Sequence, residues 1–301
     1  MKLVYFNDFS LGVVKGDRVV DVSDIVADIP HVGPHDHISR LIENFDRYRS
    51  RLESAAAQAE GIPFEQIRLR PPLPKPGKML CMAGNYLENG TLKEPRPINA
   101  FLKNPNSVIG DGDTITLPEV PVTIVHHEAE AALVIGKRAT RIKASEAYDY
   151  VFGMVNFVDV STRGLGPEGM DSFFMGKSYH NCGPMGPFLT TLDEIPDPQD
   201  VSIKLWVNGE LRQDYSTSDM GHKIPETLAW ATSIATLNPG DIVSLGTNHQ
   251  GLGALQDGDH MERESPGLGR LHIYIRDPQK RQWPTGVDQE IANRVAGRSS
   301  G

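Results

Sequence analysis

Two glutamates stand inside an otherwise apolar run, and their spacing is the first sign of chemistry in this chain. Residues Val122 to Lys137 read VTIVHHEAEAALVIGK, with Pro121 and Gly136 as boundaries. A β-branched-rich segment so bounded predicts a strand. Side chains two apart on a strand share a face, which sets Glu128 and Glu130 side by side, roughly 7 Å apart along the chain. Like charges this close on a half-buried strand repel and resist desolvation unless a cation lies between them. A hard divalent ion with oxygen ligands (Mg²⁺, Mn²⁺ or Ca²⁺) meets that need. The alternative is a solvent-exposed strand face that happens to carry two glutamates. A third carboxylate, Asp159, follows 29 positions after Glu130 in the strand-like FGMVNFVDVS, within reach of one strand–helix–strand excursion. It would complete a set of three oxygen ligands, leaving the remaining positions to water or substrate.

The rest of the composition narrows the class of partner. At 301 residues, with 39% hydrophobic and 23% charged residues, the chain has an ordinary globular composition. Net charge is −9 and no basic cluster stands out, which argues against nucleic acid. No apolar run approaches a membrane span, and the start MKLVYFNDFS lacks the apolar core of a signal peptide, so no membrane partner and a cytoplasmic location are expected. Cys81 and Cys182 form no disulfide framework, so a reducing cytoplasm is the default expectation, and neither has a partner at metal-ligand spacing.

The segments on either side must position the carboxylates. Residues 1–70 predict a small N-terminal α+β domain: short strands with a Lys15-Gly16-Asp17 turn, a loop carrying His31, His35 and His37 as surface histidines, and one helical stripe from Ile38 to about Ala59. Residues 71–78 are a proline-rich linker. Residues 79–277 predict a mainly β domain, including a hairpin with Asn208-Gly209 at its tip and a helix whose face carries Leu228, Ala231, Ile234 and Ala235. Residues 278–301 are a polar tail expected to be weakly ordered.

Four ordered motifs, HHEAEAALVIGK, GMVNFVDVSTR, GKSYHNCGPMGPFL and NPGDIVSLGT, together resemble the fumarylacetoacetate hydrolase family over roughly Lys78 to Asp277. HHE at 126–128 and VNGELRQ at 207–213 are similar to its acylpyruvase and oxaloacetate decarboxylase branch. The resemblance implies an α+β, mainly β fold: a mixed β-sandwich or β-roll, usually dimeric, around one Mg²⁺ or Mn²⁺, with Ca²⁺ the alternative ion and no organic cofactor. It places the metal ligands on Glu128, Glu130 and Asp159. It places the active-site lysine on Lys177, the arginine of the strand motif on Arg163, and the substrate-binding glycine–threonine pair on Gly246 and Thr247. Tyr86, in the Asn85-Tyr86 pair, becomes a further substrate contact. The implied partner is a small anionic 2-oxo acid.

The chain also departs from the resemblance. Family hydrolases carry a histidine–glutamate dyad after the Asn-Tyr pair, roughly NYxxHxxE, that activates water. Here Asn89 and Leu92 occupy those places, and the loop to Glu94-Pro95 is shorter. The aspartate expected after Arg163 is Gly164, followed by the glycine-rich LGPEG. His180 and His249 stand where the family pattern has none, and His249, two residues past Thr247, is a candidate general base. The expected activity is metal-dependent hydrolysis of a C–C bond in a 2-oxo or 2,4-dioxo acid through a metal-stabilised enolate, as in aromatic degradation. Because the dyad is absent from its usual place, a lyase, decarboxylase, dehydratase or isomerase on a related 2-oxo acid is the alternative, and a non-catalytic ligand-binding homologue a third.

Overall fold

The computed structural model of the chain describes residues 1–166 and 172–297. Its main sheet runs, in spatial order, Ile62–Pro63, Arg18–Asp21, Ser10–Lys15, Lys2–Phe6, Leu189–Thr191, Val151–Val158, Ala129–Ile135, Ile242–Ser244, Met79–Met82 and Ala100–Lys103, with Leu69–Arg70 paired beside Lys2–Phe6. The N-terminal strands therefore continue the sheet of the larger region: Lys2 pairs with Thr190 and Leu3 with Leu189, and no break in the sheet marks the proline-rich linker. A second, five-stranded sheet is ordered Glu210–Ser216, Ser202–Val207, His260–Ser265, Gly269–Arg276 and Thr114–Thr116. Asn208 and Gly209 turn its hairpin with φ of 52° and 79°, the left-handed pair that a tight two-residue turn demands.

All seven residues of Ala129–Ile135 are buried, and its alternation explains why. Ala131, Leu133 and Ile135 join a core with Ile203, Leu205, Met261, Leu271 and Ile273 of the second sheet. Ala132 and Val134 join a core with Leu41, Phe45 and Leu52 on the opposite face. Both faces are covered, so the strand reads as an apolar run broken only by Glu130. Burying each large aliphatic side chain contributes about 1.5–3 kcal/mol.

Those covering residues come from two helices, α1 (Pro34–Glu43) and α2 (Phe45–Gln58). The single predicted stripe is broken at Asn44, whose φ of −113° leaves the helical region. His37 lies in α1 rather than on the surface: it is buried, 3.2 Å from the Tyr5 hydroxyl, and its ring stacks on that of His31. Beyond the main sheet, α3 (Phe173–Lys177) is one short turn, and α4 (Ile224–Ile234) buries Leu228 and Ala231 but leaves Ile234 exposed. The tail carries α5 (Gln289–Val295), where the sequence gives no signal of order. The Asp288 carboxylate caps it by accepting from the Glu290 and Ile291 amides, and Ile291 and Ala292 are buried. No described helix is long and apolar enough to cross a membrane.

Candidate active site

The predicted central strand is interrupted at His127-Glu128, and the interruption builds the site. Ile124–His126 pairs with Ser161–Arg163 and Ala129–Ile135 with Val151–Val158 in one antiparallel register, His126 opposite Ser161 and Ala129 opposite Val158. Both segments leave regular strand geometry at one level, at residues 127–128 and 159–160, where Asp159 N still donates to Glu128 O at 2.9 Å. Glu128 and Asp159 thus sit across from each other at a paired interruption of the ladder, and Glu130 follows opposite Phe157. Carboxylate oxygens of Glu128, Glu130 and Asp159 all lie within 4.8 Å of one another, and all three residues are buried.

Cations and donors are arranged around the three. Lys177, the last residue of α3 and itself buried, donates from Nζ to Glu128 Oε2 at 2.6 Å and to Asp159 Oδ2 at 2.7 Å. Arg163 Nη2 reaches Glu128 Oε1 at 2.5 Å. Lys103 Nζ reaches Asp159 Oδ1 at 2.8 Å and also donates to the Lys177 carbonyl. Glu130 Oε2 accepts from the Ser244 hydroxyl and, at 3.2 Å, from Gly246 N. Gly246 has φ +86°, and a Cβ there would stand 3.1 Å from Met82 O, so glycine is required for this approach. Arg263, fully buried, clamps the Glu130 carbonyl from Nε (3.2 Å) and Nη2 (2.7 Å).

The electrostatics follow from this geometry. Burial alone would raise the Glu128 carboxyl, but the Lys177 ammonium and Arg163 guanidinium outweigh it and hold it well below the usual carboxylate range. Glu130 goes the other way: burial, then the neighbouring Asp159 and Glu128 charges, push it well above its ordinary value. Burial opposes the charge on Lys177, yet Asp159 and Glu128 more than offset this and raise it. Burial lowers His127 to about 3 and, with Arg163, His126 to about 4, so both rings are neutral at pH 7. Three convergent buried carboxylate oxygens, one of them at odds with its own charge, are the donor set of a hard divalent cation, and the residues fit Mg²⁺ or Mn²⁺.

Above this floor lies a cavity of about 470 Å³, lined among others by Glu128, Arg163, Lys177, Thr247, His249 and Arg96. The structure brings His249 to its wall together with a partner that sequence reasoning misses. Glu88, fully buried, accepts from His249 Nδ1 at 2.7 Å on one oxygen and from His249 N at 2.8 Å on the other. Glu88 (φ 58°) and Asn89 (φ 56°) are both left-handed, in a turn tied down because Asp219 accepts from the Asn89 and Gly90 amides. Two successive non-glycine residues in this region persist only where the surroundings over-determine them.

Other expected residues fall elsewhere. Tyr86 does not reach the cavity: it is 1% exposed and packs edge-on against Tyr215 in the core. Thr247 lines the cavity, but its hydroxyl donates inward to Ala129 O and accepts from Gln213 Nε2, both at 2.8 Å. Arg163 is an ion-pair partner of Glu128 rather than a free clamp. His180 is exposed. Of the glycine-rich LGPEG stretch, residues 167–169 lie outside the described residues. Lys103 was missed although an ionisable residue closing the apolar AFLK strand is an odd core choice. Replacing it by methionine will leave Asp159 short of one buried partner and cost about 3–5 kcal/mol, read as a lower denaturant midpoint in the metal-free protein.

Residues 78–276 match the family described as Fumarylacetoacetate (FAA) hydrolase C-terminal. The chain is 33% identical over 292 residues to a maleylpyruvate hydrolase of Aquipseudomonas alcaligenes, covering 92% of this chain and 99% of that protein. It is 36% identical over 225 residues to the oxaloacetate tautomerase YisK of Bacillus subtilis (strain 168), covering 70% and 74% respectively. Its fold superposes with TM-score 0.83 on the crystal structure of maleylpyruvate hydrolase from Sphingobium sp. SYK-6 in complex with manganese(II) and pyruvate, at 34% identity, covering 92% of this chain and 99% of that one. With two thirds of its length matched, and with near-complete relatives above 30% identity, the chain belongs to the fumarylacetoacetate hydrolase family.

Proposed function

We propose that this protein is a divalent-metal-dependent hydrolase that cleaves the C–C bond of an acylpyruvate-type 2,4-dioxo acid. The observation that carries this reading is the Glu88–His249 pair on the wall of the cavity whose floor holds Glu128, Glu130 and Asp159. The family relatives whose names give an activity are enzymes, and two of those compared above are maleylpyruvate hydrolases, one of them with manganese(II) and pyruvate bound.

Glu88 accepts at both oxygens, so in the neutral ring His249 Nδ1 carries the proton and Nε2 is the nitrogen with a lone pair. That nitrogen is the base that takes a proton from water as its oxygen adds to the C4 carbonyl. The C3–C4 bond then breaks, releasing a carboxylic acid and a three-carbon 2-oxo fragment whose C3 takes up a proton to give pyruvate. A bound Mg²⁺ or Mn²⁺, held by Glu128, Glu130 and Asp159, supplies Lewis-acid polarisation of the 2-oxo group. Lys177 pairs with Glu128 and Asp159, holds the Glu128 carboxyl low, and adds a positive charge beside the oxygen on which electrons collect. The dyad missing from its usual place is replaced by residues 161 positions apart, which favours hydrolysis over the lyase, decarboxylase, dehydratase and isomerase alternatives and over a silent binding protein.

Incubating the manganese-loaded protein with maleylpyruvate, with shorter acylpyruvates and with oxaloacetate will give stoichiometric pyruvate from the first two groups. Conversion of oxaloacetate alone would replace the hydrolase by a tautomerase or decarboxylase. To the same reading belong magnesium as an alternative ion, a role in aromatic catabolism and a homodimer, supported by the family resemblance, and a cytoplasmic location, supported by two cysteines that form no disulfide framework.

A further inference from the structure

A second anion receptor stands on the cavity wall, on residues outside the metal set. Arg96 follows the short loop after Asn85-Tyr86, where its side chain is half-buried and lines the same cavity as Glu128, Lys177 and His249. Its position is fixed at three points. Arg96 O accepts from His222 Nε2 at 2.8 Å, while Nδ1 of that ring is paired with Glu226. Arg96 Nη2 donates to Val295 O, the last residue of α5, at 2.5 Å. Gly84 has φ +61°, and a Cβ there would lie 3.4 Å from Arg96 Nη1, so that nitrogen rests against bare backbone. Among the described residues, no protein acceptor meets Arg96 Nε or Nη1, and no carboxylate pairs with the guanidinium.

The charges around the cavity make this cation different from the others. Glu128 is engaged by Arg163 and Lys177, Asp159 by Lys177 and Lys103, and Glu88 by His249. Glu128 is the one acidic residue among the described lining, and it faces cations already. Arg96 is therefore a positioned guanidinium with donors to offer and an anchoring bond at its rear, the arrangement that grips a carboxylate. Its anchor comes from α5, which lies beyond the 78–276 stretch that matches the family.

We propose that Arg96, braced by the carbonyl end of α5, receives the distal carboxylate of a dicarboxylic substrate whose 2-oxo acid end occupies the carboxylate floor. The proposal deepens the hydrolase reading by naming the substrate class as diacids, and it rests on that reading only for where the 2-oxo end binds. The test uses uncleavable ligand pairs that differ only in the terminal group: 2-oxo diacids of five to eight carbons against 2-oxo monoacids of equal length. Each is titrated calorimetrically into the manganese-loaded full chain. For at least one length, wild type will bind the diacid about 10- to 100-fold more tightly than the monoacid. Arg96→Gln will bring that ratio below about 3-fold while pyruvate affinity and melting temperature stay at wild-type values, which shows the fold and floor intact. No diacid preference in wild type at any length overturns the proposal. So does a preference that survives in Arg96→Gln, or an equal loss for diacids and monoacids. An Arg96-dependent preference in a protein that cleaves no acylpyruvate upholds the receptor and rejects the hydrolase.

Discussion

Alanine at position 249 will lower kcat by about 10²- to 10⁴-fold, the range supplied by a positioned general base. Manganese affinity will hold, because His249 bonds to Glu88 and not to the three floor carboxylates. Added imidazole will restore part of the rate by refilling the space beside Glu88. The fold will weaken by about 1–3 kcal/mol, since fully buried Glu88 loses the ring that satisfies one oxygen. Glu88→Gln keeps the shape but not the charge that fixes the ring's proton on Nδ1, and it will lower kcat with little change in KM. A wild-type rate in His249→Ala, with acylpyruvates at saturation, would remove the histidine from the chemistry and leave only the metal floor.

The second large effect belongs to Glu130→Gln, and it has two opposite signs. Manganese binding will weaken by more than about 100-fold, and kcat/KM will fall by about 10³-fold or more. The metal-free protein, however, will melt at the same temperature as wild type or higher. Glu130 is pushed up by burial and by the Asp159 and Glu128 charges, so in the folded state it holds its proton more tightly than in the unfolded chain. Stability from such a group is full at low pH and is lost as pH rises past the unfolded value of about 4.3. Glutamine removes that cost and can still accept from Ser244 and Gly246 N. Manganese at 100 times its Kd should add about 2.7 kcal/mol to wild type and almost nothing to the variant. A metal-free Glu130→Gln that melts well below wild type would show the carboxylate to be a stabilising group, contrary to its environment.

How much of this the sequence could show follows from the range of each interaction. Glu128 and Glu130 are legible because a two-residue period and an apolar frame are local facts. Asp159 is legible because its strand is short and adjacent. The paired interruption of the ladder is not, since His127-Glu128 sits inside a run that reads as one strand, and the gap opposite it at residues 159–160 is a tertiary event. Asn44 breaks a stripe whose apolar spacing runs on unbroken, so the periodicity alone misses the kink. Glu88 and Arg96 were invisible for another reason. Their loop is polar and without period, and their meaning comes from His249, 161 residues away from Glu88, and from Val295, 199 away from Arg96. The tail's helix was missed because its two buried side chains, Ile291 and Ala292, form too short an apolar stripe to read.

The strand that carries Glu130 is covered on both faces, whereas Glu88, Arg96 and His249 ride on connecting segments outside the sheets. In the proposed reading, one of the three chelating carboxylates is thus built into a strand packed on both faces, and reaction choice into connecting segments that tolerate more change. Such a division lets descent with modification exchange one set of loops for another over an unchanging ion cradle, and makes those loops the natural target for redirecting the catalyst by design.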